Sequence, residues 1–312
     1  MSGLRQELDR YLTIRRSLGY KLSTVERTLN RFIAFADSEG VGHVSVDLFL
    51  RWQAAFGKAH RQTWAARFIV VRRFVEWLNG IDPAHELMPR GLIPYRARRP
   101  RPYIYSDAEI VQIIQGAAEL PSPYGLRALT FSTLFGLIAV TGLRISEALA
   151  LDVDDIDVDE GVLTVRCGKL GKARLIPLQA SVVDRLLLYI TERTRILGRA
   201  QALFVQESGR RIGDCCARYN FACVSQRIGL RAPERFGRHG LGPRIHDLRH
   251  SFAARTLIGW YREGKDAGHE MIKLSIYLGH SGPDHTYWYL EAVPELLELA
   301  AGRVTQTTVE EA

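Results

Sequence analysis

The sequence has few cysteines and no long apolar runs, and each shortage removes a class of protein. Cys167, Cys215, Cys216 and Cys223 form no C-x-x-C pair and no zinc-type spacing, which excludes a disulfide scaffold and leaves free buried thiols as the expectation. No apolar stretch approaches the roughly 18 to 20 residues that span a bilayer, and the first residues lack the basic-then-apolar pattern of a secretion signal. A cytoplasmic protein with no membrane partner is expected. Internal repeats and low-complexity stretches are also missing, apart from a polar tail over residues 304–312.

What is present is ordinary globular material with an uneven charge. The 312 residues exceed one typical domain, so two are expected. Apolar content of 46% and charged content of 24% argue against disorder. The net charge is +8, and residues 1–102 carry 18 Lys and Arg against 9 Asp and Glu, so the remainder is close to neutral. A basic amino-terminal segment suits a polyanionic partner, because clustered cations release the counterions condensed on nucleic acid.

Along the first 81 residues the apolar positions recur at helical spacing, as in Leu4, Leu8, Tyr11 and Leu12, then Val25, Leu29, Phe32, Ile33 and Ala36. Breaks at Gly19, Gly40 to Gly42 and Gly57 divide them into about four helices, and Ser23 with Glu26 resembles a capping box. Residues 82–106 interleave five prolines with Arg90, Arg96, Arg98, Arg99 and Arg101, which predicts an extended linker. Beside a basic domain, Arg96, Arg98, Arg99 and Arg101 are candidate phosphate contacts, with a solvated spacer as the alternative.

From Ser106-Asp107, an N-cap signal, a second domain is expected over residues 107–303. Helical periods cover residues 107–118, 125–139, 182–197, 215–228, 246–260, 270–277 and 294–301, and alternation over residues 161–178 predicts a β-hairpin. The fold class is therefore mainly α with a small antiparallel β-sheet (α+β).

Three segments hold more polar groups than core helices need: Thr141-Gly142-Leu143-Arg144-Ile145-Ser146-Glu147, His246-Asp247-Leu248-Arg249-His250, and Leu278-Gly279-His280 with Tyr289 nine residues on. Each alone is more often a turn, a cap or a structural histidine than a functional group. His246 shares a helix face with Arg249 and with His250 at separations of three and four.

In this order, with a Gly-Lys-x-x-Lys-x-Arg-x-x-Pro hairpin between the first two, the segments resemble the tyrosine recombinase or phage integrase family over roughly residues 107–300. The helical domain ahead resembles that family's core-binding domain. The resemblance implies catalytic roles for Arg144, Lys169, His246, Arg249, His280 and Tyr289, with Glu147, His250 and Lys172 in support. Arg144 and Arg249 would clamp the non-bridging oxygens of a phosphate attacked by Tyr289. Lys169, with Lys172 as rival, would protonate the leaving oxygen. His246 would help accept the tyrosine proton, His280 would donate to the phosphate, and His250 would support the site from behind. Tyr277 and Tyr287 compete as nucleophiles, but the family's spacing selects Tyr289.

The same resemblance implies cleavage and rejoining of duplex DNA at specific recombination sites through a 3′-phosphotyrosine, without cofactor or metal. It further implies a homotetramer on DNA, alone or with related recombinases, a C-shaped clamp, and service to a bacterial mobile element at the nucleoid. A zinc hydrolase built on His246, His250 and His280 lacks the His-Glu-x-x-His companion, and Gly168 to Lys172 fails the phosphate-loop pattern. A catalytically silent DNA-binding partner of the same fold is the main alternative, and a relaxing topoisomerase another.

Overall fold

The computed structural model describes residues 3–94, 101–166, 173–232 and 242–280, followed by residues 282, 286, 288, 289, 293 and 295–298. The chain forms two compact units, Met1–Pro100 and Arg101–Ala312.

In the first unit the apolar spacing becomes four helices: α1 (Gly3–Ser17), α2 (Ser23–Ser38), α3 (Val46–Ala55) and α4 (Arg61–Asn79). Each buries one stripe, for example Leu29, Phe32, Ile33 and Ala36 on α2, as helical periodicity requires. Phe32, Phe49, Trp52, Trp64 and Phe68 meet at the centre with ring centroids 5.2 to 6.4 Å apart. The turns fall at the expected glycines, with φ of +83° at Gly19, +65° at Gly40 and +87° at Gly57.

Two expectations change here. Ser23 makes no cap: Leu22 precedes the helix, and Glu26 instead reaches across to Arg16 at 2.6 Å. A guanidinium outcompetes a backbone N–H for that carboxylate. Residues 82–94 also do not stand off as a spacer. His85 Nδ1 accepts the N–H of Val44 at 3.1 Å, the Glu86 carboxylate accepts that of Val46 at 2.8 Å, and Met88 is buried. Arg96, Arg98 and Arg99 lie outside the described residues; Arg101 is exposed.

Near the start of the second unit, the Tyr105 N–H donates to Ser251 Oγ at 2.7 Å. Ser106 and Glu109 then form the capping box of α5 (Asp107–Ala118). At the centre lies α6 (Leu126–Thr141), packed by α5, α8 (Ala180–Leu197) and α10 (Ile245–Arg262). Helices α7 (Ile145–Ala150), α9 (Asp214–Arg227) and α11 (Ala267–Leu278) complete the described long elements. The expected hairpin is β2 (Val162–Val165) with β3 (Arg174–Pro177), antiparallel, with Val165 opposite Arg174. A two-residue strand β1 (Ile156–Asp157) adds a third member beside β2. It is too short to leave an alternation signal. The fold class is thus mainly helical with a small antiparallel sheet.

A separate apolar cluster joins Ala253, Ala254 and Leu257 of α10 and Met271, Leu274 and Leu278 of α11 to Tyr289, Val293 and Leu296. Val293 and Leu296 therefore pack against their own chain. Among the described residues no helix is long and apolar enough to cross a membrane.

Phe49 is fully buried among four aromatic rings. Phe49→Ala should cost the first unit about 3–5 kcal/mol, read as a lowered denaturation midpoint of that unit, whereas a loss below about 1 kcal/mol would contradict this packing.

Candidate active site

The site is assembled around a helix end. The last carbonyls of a helix lack intrahelical partners and carry the negative end of its dipole. At the end of α11, three consecutive carbonyls each accept from a different arginine. Arg174 Nε donates to Tyr277 O at 2.8 Å, Arg249 Nη2 to Leu278 O at 2.6 Å, and Arg144 Nη2 to Gly279 O at 2.7 Å. These arginines come from β3, α10 and the residue preceding α7, so one helix end binds three elements.

Two glycines make room. Gly142 closes α6 with φ of +64°, and a Cβ there would lie 2.5 Å from Phe252 Cδ1. Its carbonyl accepts Arg249 Nη1 at 2.6 Å. Gly279 has φ of +64° as well, and a Cβ there would lie 3.0 Å from Arg174 Nη1. Both positions need a left-handed residue without a side chain.

Among the described residues Glu147 is the one carboxylate that binds these guanidiniums. Its Oε1 accepts Arg144 Nη1 at 2.7 Å and its Oε2 the Arg144 N–H at 2.9 Å. Arg174 forks onto the same two oxygens at 3.1 and 2.8 Å. Burial pushes this carboxyl up, but Arg174 and then Arg144 hold it at about 2. Arg249, 2% exposed, is driven down to about 10 by burial and by the charge of Arg144. Among the described residues, three guanidiniums against one carboxylate leave a surplus of positive charge, which suits an anion.

On α10, His246 stands one turn before His250, with ring centroids 4.7 Å apart. Burial, then the charge of Arg249, lowers His246 to about 4 from the usual 6.5, so it is neutral at physiological pH. The Tyr289 hydroxyl lies 2.8 Å from His250 Nδ1. This revises the expected arrangement: His250, not His246, meets the tyrosine, because Tyr289 packs into the α10–α11 cluster one turn further along α10. His250 is thus not behind the site. Tyr289 is itself only 1% exposed. Half-buried Trp288 packs on His250 at 5.5 Å.

His280 follows the Gly279 turn, with Nδ1 2.8 Å from Thr286 Oγ1. Tyr277 stacks on Phe252, and burial pushes its hydroxyl up to about 12, so it ionises less readily than a free tyrosine. Lys169, Lys172 and Tyr287 lie outside the described residues. Sequence reasoning did not single out Arg174. The signal was available, since it is the arginine of the hairpin pattern, opposite Val165 at the base of the turn.

Residues 105–295 match the profile of the phage integrase family. The chain is 38% identical to y4rB, a chain named as an integrase/recombinase of Sinorhizobium fredii, over 97% of this chain and 98% of that one. It is 31% identical to the tyrosine recombinase XerD of Ralstonia nicotianae, over 80% and 82% of the two chains. Among solved structures, the Tn1549 transposon integrase in complex with transposon right end DNA is similar in fold, with a TM-score of 0.62 and 15% identity over 98% of this chain and 99% of that one. The XerH site-specific recombinase bound to its difH substrate gives a TM-score of 0.62 and 20% identity over 90% and 78%.

Two outcomes follow from the geometry. Gly142→Ala should cost about 2–4 kcal/mol through backbone strain and the collision with Phe252, and a wild-type denaturation curve would contradict the close approach. His246 should titrate near 4 by NMR rather than near 6.5. Because its folded pKa is the lower one, the unfolded chain takes up the proton first. Its contribution to stability is full above about 6.5 and is lost as pH falls toward about 4. His246→Gln should flatten that part of the stability profile.

Proposed function

The chain belongs to the phage integrase family, the tyrosine recombinases, and from that premise we propose that it cuts and rejoins duplex DNA at specific sites, with Tyr289 as the nucleophile. The observation that carries this reading is the meeting, on α10 and the end of α11, of two guanidiniums with a tyrosine hydroxyl hydrogen-bonded to a histidine.

In the proposed reaction the Tyr289 oxygen forms a bond to a backbone phosphorus and passes its proton to His250. Arg144 and Arg249 hold the non-bridging oxygens as charge builds on them. The bond to the 5′-oxygen breaks, and that oxygen takes a proton from Lys169 or Lys172. The products are a 3′-phosphotyrosine and a 5′-hydroxyl, which attacks the 3′-phosphotyrosine of the partner strand and releases that tyrosine with its proton restored. His280 donates to the phosphate, and neutral His246 orients the same face of α10. The linkage conserves the phosphodiester's energy, so the reaction needs no nucleotide. Since Tyr289 and Arg249 are 1% and 2% exposed, DNA has to uncover them before attack.

The basic first unit supplies the DNA grip. Arg31 and Arg67 share the ring of Phe56 at 5.5 and 4.3 Å, and burial, then the charge of Arg31, lowers the pKa of Arg67. A phosphate would relieve that repulsion. The names of an integrase/recombinase relative and of a transposon integrase among the fold neighbours support a role in moving a genetic element. On this reading protomers assemble as a tetramer on two DNA segments in a bacterial cytoplasm.

Incubation with nicked DNA carrying the site should trap a covalent protein–DNA adduct. Tyr289→Phe should abolish it, and Arg144→Ala should slow its formation by about 10²–10³-fold. DNA affinity should fall steeply with salt. Adduct formation by Tyr289→Phe at the wild-type rate would contradict the assignment.

A further inference from the structure

We propose that Arg174 is a positioning residue for Arg144: it touches no substrate and acts by fixing the plane of the Glu147 carboxylate on which Arg144 rests. This rests on the reading of Arg144 as a phosphate ligand.

The argument is one of donors and acceptors. Each oxygen of Glu147 accepts once from Arg144 and once from Arg174, so the carboxylate is saturated. A forked guanidinium–carboxylate pair sets angle as well as distance. All three nitrogens of Arg174 are engaged, because its Nε donates to Tyr277 O. Its side chain is 12% exposed, against 22% for Arg144. Each nitrogen of Arg174 thus has an internal acceptor, while the Nε of Arg144 has no partner among the described residues and Arg144 keeps more open surface for a ligand.

Gly279 gives an independent indication. A Cβ on that residue would lie 3.0 Å from Arg174 Nη1 and 3.5 Å from Arg144 Nη1. The turn leaves the space that the two guanidiniums occupy side by side. Without Arg174, Glu147 would keep only Arg144 and could rotate with it. Lysine could not replace the fork, having a single nitrogen for three acceptors.

The test uses the full chain, with Arg174→Lys to retain the charge and Gly279→Ala to crowd the pair while retaining both arginines. The first readout is the ¹⁵N-arginine NMR signal of the Arg144 side chain in the DNA-free protein. Both variants should broaden or shift it while the thermal transition stays cooperative. The second is cleavage of nicked duplex in two forms, one with an ordinary scissile phosphate and one with a neutral methylphosphonate there.

Arg174→Lys should slow cleavage of the phosphodiester by about 100-fold with DNA affinity unchanged. It should slow the methylphosphonate, which has no charge for Arg144 to neutralise, only a few-fold. Equal losses on both substrates, or an unchanged Arg144 signal, would overturn the proposal. Absence of any wild-type adduct would count against the Tyr289 chemistry instead, and the NMR readout would still decide whether Arg174 positions Arg144.

Discussion

The end of α11 is the constraint on which the catalytic unit depends. A helix terminus leaves carbonyls that must find donors or water, and here Tyr277, Leu278 and Gly279 find guanidiniums from β3, α10 and the start of α7. Charge-assisted bonds of this kind are stronger than neutral ones, and leaving a buried partner unpaired is costly. Three elements distant in sequence are therefore held to one point. The glycines at 142 and 279 are the complement of that arrangement, since each occupies a left-handed turn where a methyl group would strike its neighbours.

The same arrangement stores an electrostatic tension. Arginine side chains crowd together, and the lowered pKa of Arg249 reflects both burial and the charge of Arg144. Glu147 and the helix carbonyls offset part of it. On the proposed function, a backbone phosphate supplies the missing negative charge, and its attraction to the arginines grows as the non-bridging oxygens become more charged. The neutral state of His246 fits this picture, because a further cation beside Arg249 would be repelled. Tyr289, tucked against His250, is kept from solvent in the DNA-free chain.

Much of this was legible in the sequence, for reasons that can be stated. The α2 stripe and the Ser106 N-cap are local signals, and they became the expected elements. Arg144, Arg249 and Glu147 were marked by the family resemblance, and the structure brings them together at the end of α11. Less was visible where partners are distant. Glu26 satisfied the local capping pattern but lies near Arg16, ten residues back. Residues 82–94 have a linker's composition, yet they hold backbone donors that the start of α3 requires. Which of two histidines one turn apart meets Tyr289 depends on how the terminal segment docks, and spacing along α10 does not encode that.

The most direct test of the central claim is peptide mapping by mass spectrometry of the protein–DNA adduct after nuclease and protease digestion. The account predicts a nucleotide remnant on Tyr289. A remnant on Tyr277, Tyr287 or a non-tyrosine side chain would contradict it.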